Sequence, residues 1–501
     1  MRGKVYLIGA GPGDPGLLTL KGRDVLAKAD VVIYDALVNP QLLAWARPGI
    51  PKLYVGKRGG QHGKEQGEIN ELLVRHARRG RQVARLKGGD PFLFGRGGEE
   101  ALFMYEHDVP FEIVPGISSA SGAPTYAGIP LTDRHLGSMV TMVTGHTGEG
   151  RRIAPVEWAR ISRKNTLLVF MGLDQLPVIT DRLLRHNWWA DTPAAVIRWG
   201  STYHQQIVEG TLGDIARKAK EANLGSPALV VIGRVVSLRK KLRWFDTKSL
   251  FGKTVVITRA LDQAPEFARL LEEHGAEVLN FPTIQILPPR SWDPLDKAIK
   301  SVSRFDWILF TSVNGVKGFF ERLNVLGGDV RDLKGIRLGA IGPKTSGRLT
   351  QFGLKVDKFP DEYRAEALAE VLGDVRGCRV LLARAEEARD VLPETLTDKG
   401  AVVTIAPVYR TLKARRAAPE IRQRLLEGRV DVVTFTSSST VHGFLQHFGA
   451  RERKRIFEHT RAAAIGPITA ATLREYGIRP AIRASRYTIE ALSRAIVKHF
   501  K

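Results

Sequence analysis

The sequence predicts an α/β protein of several domains, and three observations carry that expectation. Short β-rich runs alternate with helical stretches through the first half, at Val5–Ile8, Val31–Tyr34, Val83–Leu86, Met139–Thr144, Leu167–Met171 and Leu229–Val236. That is the pattern of α/β domains with largely parallel sheets. The second half repeats its own landmarks at a spacing of about 125 residues. The chain has 501 residues, enough for three or four domains at roughly 100–200 residues each.

Composition removes several classes. Apolar residues make up 43% and charged residues 26%, which is globular rather than disordered. The 50 glycines and 26 prolines are dispersed, so neither a collagen-like nor a low-complexity chain is expected. A single cysteine, Cys378, excludes intramolecular disulfides and a multi-thiolate zinc site. No pair of histidines has metal-ligand spacing in the first half, so no metal is expected. The Met1-Arg2-Gly3-Lys4 start does not read as a secretory signal. Runs such as Ala228–Ile232 fall short of the ~20 apolar residues of a membrane span. A cytoplasmic location is the expectation. The net charge of +24 favours anionic partners, whether nucleic acid, anionic lipid or a polyanionic small molecule. Runs such as Arg75–Arg81 and Arg451–Arg455 read as solvated helix faces.

In chain order, the first informative element is the loop Gly9-Ala10-Gly11-Pro12-Gly13-Asp14-Pro15-Gly16, between a strand and the helical run Leu17–Ala29. Gly11 to Gly16 matches G-x-G-x-x-G, and Asp35 follows at a suitable distance, as in a dinucleotide site. Pro12 and Pro15 argue against it, because each removes a backbone N–H that a diphosphate would need. A second cluster, Arg85 to Glu100, contains Gly88-Gly89-Asp90. Its glycines let a ligand approach the backbone, and its carboxylate can accept from a hydroxyl or amine. It lacks the G-K-[ST] ending of a phosphate loop. Pro115-Gly116 divides this half in two, and Asp246–Lys253 marks the main boundary.

These stretches resemble the uroporphyrinogen-III C-methyltransferases, of the tetrapyrrole methyltransferase class. The likeness lies in Val5–Thr19, Ala29–Asp35, Val55–Arg58, Arg85–Glu100, Val114–Ala120, Tyr126–Thr132, Val143–His146 and Phe170–Gly172. It implies a two-domain methyltransferase fold over 1–246, with subdomains of about 1–115 and 116–246, and S-adenosylmethionine between them. It further implies cofactor contacts from Pro12, Gly88, Gly89, Asp90, Leu93, Ser118, Ser119, Met171 and Gly200. Asp35 would accept a proton and Lys57 would donate one. The family also implies a homodimer through this half. Two departures stand out: Asp133 replaces a usual histidine and could alter substrate contacts, and Phe170 replaces a usual tyrosine and loses a hydroxyl near the cofactor. His146 reads as structural.

After a linker at 247–252, the repeat sets Val255–Ala260 against Val380–Ala385, and Gly275-Ala276 against Gly400-Ala401. Pro282 answers Pro407, Phe310-Thr311-Ser312 answers Phe435-Thr436-Ser437, and Ile341-Gly342-Pro343 answers Ile465-Gly466-Pro467. Tyr363 answers Tyr487. Hydroxyls and N–H groups at such strand-to-helix turns can receive carboxylates or merely cap a helix. Four stretches, Phe310–Val316, Ala340–Thr345, Phe435–Val441 and Ala464–Thr469, resemble uroporphyrinogen-III synthase. The resemblance implies a two-lobed α/β fold over 253–501, with 253–282 plus 412–501 in one lobe and 283–411 in the other. Substrate contacts would come from Thr311, Ser312, Gly342, Thr436, Ser437, Ser438 and Gly466. Tyr409, whose repeat counterpart is Ile284, would donate to a leaving hydroxyl.

The implied function is bifunctional: hydroxymethylbilane is cyclised to uroporphyrinogen III, which is then methylated at C2 and C7 to precorrin-2, in sirohaem or cobalamin biosynthesis. Eight carboxylates on that substrate suit a basic chain without nucleic acid or membrane. The alternatives are a methyltransferase of the same fold acting on a later corrinoid, and a basic nucleic-acid-binding protein.

Overall fold

Four five-stranded sheets carry the chain. The computed structural model describes residues 3–56, 65–145, 156–260, 263–361, 365–388, 390–413 and 419–501. Lys57, His146 and Tyr363 lie outside the described residues. The chain divides into two compact units. One spans 1–253 with 271–277 and 500–501, and the other spans 254–270 and 278–499.

In the first unit, β1 (Lys4–Gly9), β2 (Val31–Tyr34), β3 (Lys52–Tyr54), β4 (Gln82–Lys87) and β5 (Phe111–Val114) form an all-parallel sheet in the order β3-β2-β4-β1-β5. Alternation along the strands supplies two apolar faces. Val5, Leu7, Val31, Ile33 and Val83 meet helices α2 (Gln66–Arg78) and α3 (Gly97–Glu106). Ile8, Val32, Ala84 and Leu86 meet Leu26 of helix α1 (Leu20–Lys28). Each such fully buried aliphatic side chain contributes about 1.5–3 kcal/mol. The helix expected from Leu17 begins at Leu20, because Thr19 caps it by accepting from the Gly22 amide at 3.1 Å. The connection leaving β1 covers one face and that leaving β4 the other. A crevice therefore opens at their carboxyl ends, where ligands gather in open α/β sheets.

The expectation of largely parallel sheets fails in the second sheet. β6 (Val140–Thr144), β7 (Thr166–Phe170), β8 (Pro193–Arg198), β9 (Gln206–Thr211) and β10 (Ala228–Ile232) run in the order β6-β7-β10-β8-β9, and only β6 and β7 pair in parallel. A short loop joins β8 to β9, which permits an antiparallel hairpin but no crossover. The strand expected over Leu229–Val236 stops at Ile232. Gly233 has φ of 149°, and a 3-10 helix follows over Arg234–Leu238. One face of this sheet packs on helix α4 (Ser119–Tyr126) through Ala120 and Ala123.

The second unit holds β11 (Thr254–Ile257), β12 (Glu277–Asn280) from its second residue on, β13 (Ile284–Leu287), β14 (Trp307–Phe310), β15 (Arg337–Ala340), β16 (Arg379–Ala385), β17 (Val402–Lys413), β18 (Val432–Phe435), β19 (Arg461–Ala464) and β20 (Ile482–Arg483). Its sheets run β12-β11-β18-β19-β20 and β13-β17-β16-β14-β15. The sequence repeat matches β11 with β16 and β14 with β18, so each sheet draws strands from both copies of the repeat. β13 and β17 pair antiparallel, with Ile286 opposite Thr411. Among the described residues no helix is long and apolar enough to cross a membrane.

Candidate functional site

The loops after β1 and β4 are zipped together by backbone. The Gly89 amide donates to the Gly11 carbonyl at 2.7 Å, and the Gly11 amide donates to the Gly89 carbonyl at 3.2 Å. Both glycines stand at positive φ, 77° and 71°. With those amides spent on each other, and prolines at 12 and 15, the loop offers a diphosphate little to bind. Pro12 instead rests on α4, where a Cβ at Gly122 would stand 2.6 Å from its Cγ. Asp14 ties the far side of the loop: it accepts from the Gly16 amide at 2.7 Å and from the Tyr126 hydroxyl at 2.6 Å. Burial, and then Asp14, push the Tyr126 phenol well above its ordinary range.

Beside this junction lies a cavity of about 390 Å³, within the range of small-molecule sites. All nine expected cofactor contacts line it: Pro12, Gly88, Gly89, Asp90, Leu93, Ser118, Ser119, Met171 and Gly200. Leu37, Phe94, Phe170, Ile197 and Leu229 make much of the remaining wall apolar. Three wall residues, Phe94, Met171 and Trp199, stand at φ of 52°, 50° and 49°, with Arg96 and Ser201 beside them at 56° and 65°. Left-handed bulky residues cost about 1–3 kcal/mol each and persist where surrounding contacts over-determine them. Here Arg96 forks onto Glu99 at 2.8 and 2.6 Å, and the Ser201 amide donates to the Gln205 side chain at 2.9 Å.

Asp90, in the cavity wall, is also bound into the backbone around it. Its carboxylate accepts from the Phe92 amide at 2.8 Å and from the Gly116 amide at 3.0 Å, so its two oxygens shape the loop before any ligand arrives. Ser118 likewise caps α4, accepting from the Ala120 amide at 3.1 Å. A second carboxylate on the wall, Asp174, was missed in the sequence; its only signal is its place just beyond β7. Phe170 lies in the wall with its ring 4.7 Å from that of Phe94, an apolar contact in place of a hydroxyl. Asp133 is drawn into its own turn, accepting from the amides of His135 and Leu136 at 2.9 and 3.0 Å.

Asp35 sits just past β2, beside the cavity rather than in its wall. Its Oδ1 accepts from the Leu37 amide at 3.2 Å, and a Cβ at Gly88 would stand 2.6 Å from the Leu37 Cβ. Its Oδ2 lies 3.6 Å from Nη2 of the buried Arg85. Behind that pair, Oε1 of Glu100 accepts from Arg85 Nε at 3.2 Å, Lys87 Nζ at 2.8 Å and Gln66 Nε2 at 3.2 Å. Burial, and then Arg85, hold Lys87 below its ordinary range, with Glu100 opposing. The only sequence signal for this cluster is two cations alternating within a strand interior.

In the second unit the repeated turns begin helices. Ser312 caps Val313–Val325, accepting from the Gly315 amide at 2.9 Å, and Ser437 caps Ser438–Leu445, accepting from the Thr440 amide at 3.2 Å. The Thr436 amide donates to the Thr440 hydroxyl at 3.2 Å, and the Ser438 hydroxyl bonds that of Thr472 at 2.8 Å. Thr311 is half-buried beside Ser312. Gly342 and Gly466 are buried and extended ahead of Pro343 and Pro467, and the Tyr487 ring covers Gly466 closely. The Tyr409 hydroxyl bonds that of Ser312 at 3.1 Å, and its ring packs on the core around Phe310 and Phe319. Burial raises its phenol.

Two family models match the chain: Tetrapyrrole (Corrin/Porphyrin) Methylases over residues 4–216, and Uroporphyrinogen-III synthase HemD over residues 265–494. The chain is 35% identical over 495 residues to the "Porphyrin biosynthesis protein HemD" of Ruminiclostridium josui, covering 98% of this chain and 97% of that one. It is 38% identical over 365 residues to the uroporphyrinogen-III C-methyltransferase of Bacillus subtilis (strain 168), covering 72% of this chain and 74% of that one. A solved uroporphyrin-III C-methyl transferase of Thermus thermophilus, complexed with S-adenosyl homocysteine, is 42% identical. It covers 47% of this chain and 99% of its own, with a TM-score of 0.41.

Proposed function

We propose a function that proceeds from this chain's family: it belongs to the porphyrin biosynthesis proteins that join a tetrapyrrole methylase to a uroporphyrinogen-III synthase. The second half cyclises hydroxymethylbilane to uroporphyrinogen III. The first half methylates that product at C2 and C7, giving precorrin-2 for sirohaem or cobalamin biosynthesis. The observation that carries the methyltransferase reading is the single cavity lined by Pro12, the Gly88-Gly89-Asp90 turn, Ser118, Met171 and Gly200.

The wall suits S-adenosylmethionine in its chemistry. Apolar side chains offer a slot for a base, while Asp174, Ser118 and Ser119 offer polar partners to the amino-acid end. When bound, the cofactor supplies an electrophilic methyl group. The chain's own task is then positioning and proton handling. Asp35 holds the proton released by the tetrapyrrole, and Lys57 returns one. In the second half, Tyr409 donates to the departing hydroxyl, steadied by Ser312, while Thr311, Thr436, Ser437, Ser438, Gly342 and Gly466 receive substrate carboxylates. The protein works as a homodimer through its first half, in the cytoplasm.

The experiment is methyl transfer to uroporphyrinogen III from cofactor labelled in its methyl group. The expected product is a tetrapyrrole carrying two labels. Absence of label in the product of uroporphyrinogen III, with label found instead in nucleic acid or in a later corrinoid, sinks the reading.

A further inference from the structure

We propose that Glu100 is a positioning residue for methyl transfer, holding the Arg85 guanidinium beside Asp35 while keeping it from closing on that carboxylate. The inference rests on the reading above, in which Asp35 accepts the proton. Arg85 points from β4 toward α3, with only 3% of its side chain exposed, and Glu100 is fully buried. The guanidinium is tied at two corners: Nε donates to Glu100 Oε1 at 3.2 Å, and Nη1 donates to the Leu86 carbonyl at 3.0 Å. Its third corner, Nη2, stands 3.6 Å from Asp35 Oδ2, close enough for attraction and too far for a good hydrogen bond. A general base needs a steadied charge and a lone pair free for the proton. A guanidinium held at that distance supplies both.

Released from Glu100, Arg85 would turn its planar fork onto Asp35 and occupy its oxygens. Lys87 shares Glu100 Oε1 at 2.8 Å, so two cations and two carboxylates balance only when Asp35 is counted in the cluster. Glu100 also carries a buried oxygen, Oε2, with no hydrogen-bond partner among the described residues. A buried carboxylate with an unmet acceptor is costly. Packing alone would be served as well by apolar side chains in place of Arg85, Lys87 and Glu100 together. The position therefore has a use for the charge itself.

The test uses the full chain with uroporphyrinogen III and S-adenosylmethionine. Glu100→Gln, nearly isosteric, is expected to lower kcat for methyl transfer about tenfold or more while the cofactor KM stays within about twofold. Arg85→Met should also lower kcat. The double variant should lose less than the product of the two single losses, because both act through one contact. A purely structural role would lower the melting temperature and leave kcat per folded molecule at the wild-type value, and that result overturns the proposal. A cofactor KM rising in step with the fall in kcat overturns it as well. Should Glu100→Gln fail to fold, Arg85→Lys carries the same test, since an ammonium keeps the charge without the fork. Lowered kcat at unchanged KM then supports the proposal, and wild-type kcat overturns it. A wild-type chain that transfers no methyl group overturns the underlying reading and this inference with it. An active wild type beside an equally active Glu100→Gln overturns the inference alone.

Discussion

Asp35 and Asp90 are both carboxylates at strand ends of one sheet, and their surroundings give them different work. Asp35 spends one oxygen on the Leu37 amide, and its other oxygen faces Arg85 at 3.6 Å, too far for a good hydrogen bond. Asp35→Asn should therefore keep cofactor affinity, measured by calorimetry, while methyl transfer falls by ~10²–10⁴-fold. A variant that loses cofactor affinity in proportion to turnover would place Asp35 in the binding site. Asp90 uses both oxygens on backbone amides. Asp90→Ala orphans those amides, at about 1–3 kcal/mol each where buried, so thermal stability and cofactor affinity should fall together. Loss of affinity with an unchanged melting curve would mean that the carboxylate touches the cofactor directly. The nine cavity residues were named through the family resemblance, and of them the Gly88-Gly89-Asp90 turn was also legible from its residue types, two glycines beside a carboxylate. Asp174 and the Arg85–Lys87–Glu100 cluster were not. The members of the cluster become neighbours only when α3 folds back on β4, and Asp174 reaches the cavity wall only through the fold.

At the scale of elements, the two serine caps of the repeat allow a comparison within one molecule. Each accepts from a backbone amide three residues on, so replacing either by alanine should cost about 1 kcal/mol of stability. Only Ser312 also meets a tyrosine, Tyr409. Ser312→Ala and Tyr409→Phe are therefore expected to slow ring closure by similar factors, whereas Ser437→Ala should slow it less than either. Equal loss in both serine variants would assign their effect to capping alone. Strands buried on both faces were readable as apolar runs, as β2 illustrates. The hairpin β8–β9 was not, because β9 reads Gln206-Ile207-Val208-Glu209-Gly210-Thr211, too polar for a buried strand. Apolar content also carried the expected strand at Leu229 past Ile232, where backbone geometry at Gly233 ends it.

For the whole molecule, the repeat was visible in the sequence, but the way its copies exchange strands was not. Matching β11 to β16 states that two segments are alike, and says nothing of which neighbour each will pair with. β11 pairs with β18 and β16 with β14, so each sheet is completed by the other copy. The net charge of +24 suits a chain whose two substrates are polycarboxylates, and joining both activities in one chain makes the product of one half the substrate of the other. The most direct measurement supplies the full chain with hydroxymethylbilane and methyl-labelled S-adenosylmethionine and follows the tetrapyrroles formed. The expected result is a doubly labelled precorrin-2 built on the type III ring arrangement. Unlabelled uroporphyrinogen III would contradict the methyltransferase assignment, and uroporphyrinogen of the type I arrangement alone would contradict the synthase.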